Sequence, residues 1–301
     1  MQQLISDSII MIAFNFNIIF PSEPLLRDDV YNPALETIVI EQIDENTQPA
    51  AFPERSGWMD MSARKGRYFA QSKFALATGA GSQWALEIAQ VLTLYWSIGS
   101  HTLHYQPEAQ FTPERLRFWV CHTLLPLKFA LEKRYEMLHV GAVEVAGRPI
   151  FFSAESFGGK STLTDYFIQQ GHALYSDDSL AIFQQHDTFY TVASYPFHRP
   201  YREPEVLGYP VENVARQSKP IYAGYVLEAV AADAVVSITT LEGIEKFKAF
   251  HFSGFIDLGF FKAHHFQLRA ELAKAIPVYK VTIPWQIERL GEVYAKIVAH
   301  N

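Results

Sequence analysis

Cysteine is nearly missing from this chain: Cys121 is the only one in 301 residues. That excludes an internal disulfide and a cysteine-built zinc site, and it fits a reducing compartment, so the expectation is a cytoplasmic protein. Positive charge is also scarce. The 25 Lys and Arg are outnumbered by 32 Asp and Glu, the formal net charge is −7, and no long basic run occurs; a nucleic-acid partner is therefore not expected. The apolar segment near the start, "IIMIAFNFNIIF" at 9 to 20, is too short to span a bilayer and carries Asn15 and Asn17, so no membrane partner is expected either. It lacks the cationic stretch and small-residue cleavage site of a signal peptide. It reads as a buried strand, or as the product of a start codon placed too early. Internal repeats and low-complexity tracts are absent. His104, His122, His186, His251, His264 and His265 show no H-E-x-x-H or similar spacing, so no transition-metal site is expected. What is present is a chain with 49% hydrophobic residues, enough to bury a core as one large domain or two smaller ones.

The pattern along the chain is uneven. Residues 1 to about 80 mix short β-prone runs such as "ETIVIEQI" with proline-containing polar connections and read as an irregular sheet region. A helix is expected from about Gln83 to Ile98. A second opens with Thr112-Pro113-Glu114, an N-cap followed by proline in the first turn, and is expected to run to about Leu138 with a kink near Pro126. From Leu138 short strands take over, "HVGAVEVAG" and "PIFFSA", with Gly147-Arg148 as the tight turn between them.

Directly after the second strand stands Ala154-Glu155-Ser156-Phe157-Gly158-Gly159-Lys160-Ser161-Thr162. Its spacing is that of a P-loop (Walker A), G-x-x-x-x-G-K-[ST], with Ala154 in place of the first glycine. The context is the one the motif needs: a strand, the loop, then "KSTLTDYFIQQ", whose Leu163, Tyr166 and Phe167 follow helical spacing up to Gly171. Main-chain N–H groups and the helix N-terminus would bind phosphate, Lys160 would add charge there, and the Ser161 hydroxyl can ligate Mg²⁺. An alanine at the first position is compatible with this if its φ is negative. One helix later "GHALYSDDSLAIF" ends a short strand in Asp177 and Asp178. Paired carboxylates there can divide the work, one holding Mg²⁺ and one taking a proton from an attacking hydroxyl. A structural glycine turn and a polar Ser-Asp-Asp turn are the competing accounts of the two stretches.

The run "LHVGAVEVAGRPIFFSAESFGGKSTLTDYFIQQGHALYSDDSLAIF" resembles the core of the HPr kinase/phosphorylase family, in particular the HPr-kinase-like serine kinases that include those tailoring lasso peptides. "SYPFHRPYREPE" at 194 to 205 and "IPVYKVTIPWQIERLGEVYAKI" at 276 to 297 extend the likeness. The resemblance implies an α/β (mixed α+β) chain with a phosphoenolpyruvate-carboxykinase-like P-loop kinase core at 137–301, behind an N-terminal β-plus-helical region at 1–136. It also implies ATP and Mg²⁺ as cofactors and transfer of the γ-phosphate to a serine of a peptide or protein. A homo-oligomer is compatible with it.

Carried over position by position, the resemblance makes Asp177 the general base, Asp178 and Ser161 the metal ligands, and Lys160 with His139 partners of the phosphates. Ala154, Ser156, Gly158, Gly159, Ser161 and Thr162 complete the nucleotide loop. Arg199 and Arg202 would neutralise charge on the transferring group, within a Tyr195-to-Tyr209 segment suited to holding an extended peptide. His139 as a structural histidine, and the two arginines as part of a solvated loop, are the alternatives. The sequence departs from the family at Ala154 and lacks a Glu-Ile-Arg-Gly-Leu-Gly run, which argues against HPr as the acceptor and against phosphorylase activity. A nucleotide-binding sensor or pseudokinase is the rival reading. Phosphoenolpyruvate carboxykinase chemistry would need a transition-metal site and a carboxylate clamp, and the sequence offers neither.

Overall fold

The computed structural model describes residues 8–21, 29–43, 51–155, 157–200, 203–255 and 258–301. The chain is mixed α/β and forms two compact units, one of Met1–Arg134 with Tyr201–Pro210 and one of Tyr135–Pro200 with Val211–Asn301.

The first unit is built on a nine-stranded sheet. Its order is Ser8–Ala13, Phe16–Pro21, Glu36–Gln42, Thr102–Pro107, Leu92–Ser97, Gln83–Ile88, Arg64–Ala70 and Glu54–Arg55, with Met59–Met61 also paired to Arg64–Ala70. The apolar segment at 9 to 20 is a hairpin and not a single strand, turned at Phe14 and Asn15, which take φ of 53° and 64°.

The helix expected over 83 to 98 does not form. Gln83–Ile88 and Leu92–Ser97 are antiparallel strands. Trp84, Leu86 and Ile88, then Leu92, Leu94 and Trp96, are buried at every second position, a period of two that belongs to a pleated strand. The turn between them rests on Gln90 at φ 65°, without the Gly or Asn-Gly that normally marks such a turn in a sequence. The second expected helix does start at Thr112, whose Oγ1 accepts the Arg115 N–H at 3.3 Å. It runs Pro113–Trp119, widens into a π-helical stretch over Val120–Leu124, resumes as Leu125–Leu131 and stops there, short of Leu138. Pro126 can neither donate to the preceding turn nor sit close to its carbonyl, and a wider turn accommodates both restrictions.

In the second unit a six-stranded sheet has the order Leu174–Ser176, Gly141–Val145, Arg148–Ser153, Ala223–Val230, Val278–Pro284 and Ile238–Thr240. Arg148–Ser153, Ala223–Val230 and Val278–Pro284 run parallel, while the other pairings are antiparallel. The hairpin turn falls one residue earlier than expected, on Ala146-Gly147 with φ of 49° and 79°, so that Val145 pairs with Arg148. Side chains alternate across this sheet. Val143, Phe152 and Tyr225 pack with Leu163 and Phe167 of the helix Lys160–Gln169 and with Val293 and Ile297 of the helix Leu290–His300. Ala142, Phe151 and Val278 pack the other way with Leu180, Phe189, Phe250 and Leu272. Those residues come from a four-stranded antiparallel sheet (Glu136–Leu138, Leu180–Gln185, Thr188–Val192, Lys219–Pro220) and from the helices Gly243–His251 and Lys262–Ala275. Burial on both faces explains why Ile150-Phe151-Phe152 is a continuous apolar run.

Candidate functional site

The strand Arg148–Ser153 delivers the chain into the loop, and Gly159, at φ 84° in the left-handed region, caps the helix Lys160–Gln169. Among the described residues no side chain caps this helix, so its first N–H groups face the loop, where an anion would be favoured. Phe157 also has positive φ, 65°, and its ring is exposed at the loop tip. Such a conformation costs on the order of 1 kcal/mol for a non-glycine residue. Gly158 donates its N–H to the Glu155 carbonyl at 2.9 Å, and a Cβ there would stand 2.9 Å from the Ala154 Cβ. Glycine is therefore required at 158 by close approach. Ala154 is not among the positive-φ residues, which is the condition under which an alanine serves at this position.

Helix and hairpin approach closely at Gly141, where a Cβ would lie 2.1 Å from Thr164 Oγ1. That approach lays the stem of Lys160 along the hairpin. Lys160 is 5% exposed and its Nζ donates to the His139 carbonyl at 3.2 Å. His139 is held in turn: its N–H donates to the Ser253 carbonyl at 2.6 Å and its ring stacks on Phe255. Ser253 donates to the Ala249 carbonyl, so the 2.7 Å contact between Ser153 and Ser253 is donated by Ser153. The residue that ends the loop's own strand is thus tied to Ser253, whose carbonyl holds His139.

The two aspartates go separate ways. Asp178 Oδ1 lies 2.9 Å from His139 Nδ1, in a partly open pair whose side chains are 13% and 35% exposed. His139 therefore contacts both the loop lysine, through its carbonyl, and Asp178, through its ring. Asp177 is 5% exposed. Its Oδ2 accepts the Arg199 N–H at 2.7 Å, and its Oδ1 lies 2.9 Å from Nδ1 of the fully buried His198. His198 Nε2 is 3.5 Å from Oδ1 of Asp165, on the loop's helix. These partners compensate the burial of a carboxylate, which would otherwise be costly.

Lys160, His139 and Asp178 are thus brought together, while Arg199 meets Asp177 through its main chain. Ser161 and Thr162 occupy the first turn of the helix. Ser156 and Arg202 lie outside the described residues. The sequence reading missed His198 and Asp165. The available signal was the adjacency of His198 to Arg199 and the position of Asp165 five residues after Lys160, and neither spacing announces a contact with Asp177.

Asp178 and Ser161 offer hard oxygen donors of the type Mg²⁺ takes. Among the described residues no group of three or more His, Cys, Asp or Glu is arranged to hold a metal ion. A Mg²⁺ held here would complete its shell with phosphate oxygens and water, as this ion ordinarily does. No helix among the described residues is long and apolar enough to cross a membrane.

No protein-family model and no curated protein matches the chain. Among solved structures the chain is similar to the Hpr(Ser) kinase/phosphatase from Coxiella burnetii, at 14% sequence identity and a TM-score of 0.34, covering 55% of this chain and 96% of that one.

Proposed function

We propose that the unit of residues 135–200 and 211–301 is a P-loop kinase of phosphoenolpyruvate-carboxykinase-like type. In this reading it binds ATP with Mg²⁺ and transfers the γ-phosphate to a serine hydroxyl of a peptide or protein. The observation that carries the reading is His139, which meets Lys160 of a glycine-capped loop and Asp178 in the bend after the strand Leu174–Ser176. A chance Gly-Lys-Ser turn has no reason to be joined to a carboxylate in this way. Lys160 and the loop N–H groups would hold the β and γ phosphates, with Ala154, Ser156, Gly158, Gly159 and Thr162 shaping the cradle. Ser161 and Asp178 would hold Mg²⁺, whose contribution is to neutralise charge on the phosphates. Asp177 would take the proton of the serine hydroxyl as its oxygen bonds to the γ-phosphorus and the bond to the β-phosphate oxygen breaks, releasing ADP. Arg199 would face the transferring group and its peptide. The setting is the cytoplasm, where ATP is at hand and the buried Cys121, its thiol pushed up to about 12 by burial, stays a thiol.

One observation favours the rival reading, a nucleotide sensor without transfer: Asp177 is 5% exposed, with one oxygen bonded to the Arg199 N–H and the other 2.9 Å from the buried His198 ring. The test is calorimetry with ATP and Mg²⁺, followed by γ-labelled ATP with a serine peptide library. Binding with transfer to serine supports the kinase, and binding without transfer supports the sensor. A wild-type chain that binds no ATP removes both.

A further inference from the structure

Beside the loop lies a cavity of about 210 Å³ lined by Gly159, Thr162, Ile283, Trp285, Ile287 and Leu290, with Pro284 and Gln286 completing it. Gly159 belongs to both features: it caps the loop's helix and forms part of the cavity wall. The indole of Trp285 lies directly beside Gly159, where a Cβ would stand in van der Waals contact, 3.7 Å from Trp285 Cζ3. The main chain of Trp285 is anchored by its N–H on the Val230 carbonyl at 3.0 Å, just past the strand Val278–Pro284. Its ring is nevertheless 59% exposed, and Ile287 is 64% exposed. Large apolar side chains left open at the rim of an apolar cavity mark a binding site more often than a packing fault.

We propose that this cavity receives the purine base of the nucleotide, stacked on Trp285; the inference rests on the nucleotide-binding reading above. Size limits the occupant. Pockets that enclose a whole drug-sized ligand run to about 300–1,000 Å³, so about 210 Å³ takes a ring system and leaves sugar and phosphates outside, along the loop. Chemistry narrows it further. A lining of Ile, Leu, Pro and Trp suits a flat face, while the Gln286 amide and the Thr162 hydroxyl supply the donor and acceptor that a base edge requires. The shared residue Gly159 puts the ring beside the phosphate loop, the arrangement one nucleotide demands and an unrelated ligand does not. A purine covers more of the indole than a pyrimidine, so stacking favours it.

The experiment is calorimetry with ATP, UTP and inorganic tripolyphosphate on wild type, Trp285→Ala and Trp285→Phe, with thermal melts as a check on folding. In wild type ATP is expected to bind about tenfold or more tighter than tripolyphosphate, and tighter than UTP. Trp285→Ala should remove about tenfold of the ATP affinity, the scale of one base–aromatic stack, leave tripolyphosphate binding unchanged, and be rescued by Trp285→Phe. Equal losses for ATP and tripolyphosphate would identify a distorted loop and overturn the inference. So would unchanged ATP affinity together with a raised KM for a serine peptide, which would assign the cavity to the acceptor. UTP binding as tightly as ATP overturns the purine assignment. In each of these cases ATP still binds and the kinase reading survives; binding of neither ATP nor tripolyphosphate by wild type would remove both.

Discussion

Replacement of Asp177 by asparagine separates a general base from a structural carboxylate. In wild type one carboxylate oxygen accepts the Arg199 N–H at 2.7 Å, and the other lies 2.9 Å from His198 Nδ1 as a close ion-pair contact. An asparagine in the same place has one acceptor and one donor end. Its oxygen must face the Arg199 N–H, which cannot do anything but donate, so its NH₂ faces His198 Nδ1. The network remains satisfied if the imidazole changes tautomer, accepting at Nδ1 and carrying its proton on Nε2 toward Asp165 Oδ1, 3.5 Å away. The structural loss is then the charge of one close contact and the weakening of the Arg199 N–H bond to a neutral acceptor, about 0.5–1.5 kcal/mol. That corresponds to a fall in Tm of about 1–6 °C. The chemical loss is larger, because an amide cannot take the serine proton, and turnover should fall by ~10²–10⁴ with ATP affinity nearly unchanged. Thermal melts, calorimetry with ATP and single-turnover transfer to a serine peptide measure the three quantities on one preparation. Turnover of Asp177→Asn within about threefold of wild type would refute the base assignment. A collapse of Tm far beyond a few degrees would refute the tautomer argument.

Lys160→Ala should weaken ATP binding by ~1.5–3 kcal/mol, the range for a hydrogen bond made by a charged group; equal affinity in calorimetry would count against the phosphate cradle. Ala154→Gly should leave ATP affinity unaltered and lower stability by about 0.5–1 kcal/mol through the freer unfolded chain, and a large gain in affinity would mean that the alanine had degraded the loop. Gly141→Ala drives a Cβ to within 2.1 Å of Thr164 Oγ1, so a loss of ~1–3 kcal/mol from overpacking and weaker ATP binding are expected; a wild-type melting curve would show that helix and hairpin are not closely packed there. In the first unit, Glu205 accepts from Arg64 and from the Trp119 indole and lies 3.1 Å from Arg115. Burial pushes its carboxyl up, but the bonds from Arg64 and Trp119 and the nearby guanidinium charges outweigh that and hold it below the ordinary 4.5. A group with a depressed folded pKa contributes stability above its unfolded pKa, so that contribution should be present at pH 7, begin to fade below about 4.5 and disappear as the pH passes the folded value. Glu205→Gln should flatten this part of the pH–stability curve and cost ~1.5–3 kcal/mol at pH 7.

Short-range geometry was legible in the sequence. The strand–loop–helix order around Gly159 could be read because a left-handed residue, a helix start and a helical apolar stripe are each decided within a few residues. Thr112-Pro113 marked a helix start for the same reason. What could not be read depended on partners distant in the chain. Over 83 to 98 the apolar spacing admitted a helix, and the hairpin at Gln90 carries no turn residue to exclude it; the pairing of Leu86 with Leu94 inside a nine-stranded sheet decided for strands. The end of the second helix was decided by the strand Glu136–Leu138 pairing with Leu180–Gln185. Asp177 and Asp178 are neighbours with the same chemistry, in the bend that follows the strand Leu174–Ser176. Which of them meets His139 and which meets His198 depends on residues 39 and 21 positions away in the chain (178 − 139 and 198 − 177). Trp285 comes to lie over Gly159 only because a strand entered more than a hundred residues later packs beside the loop's helix. Dihedral preferences are properties of a few adjacent residues and can be read in order, whereas the contacts that divide roles among chemically equivalent groups exist only once the chain has closed on itself.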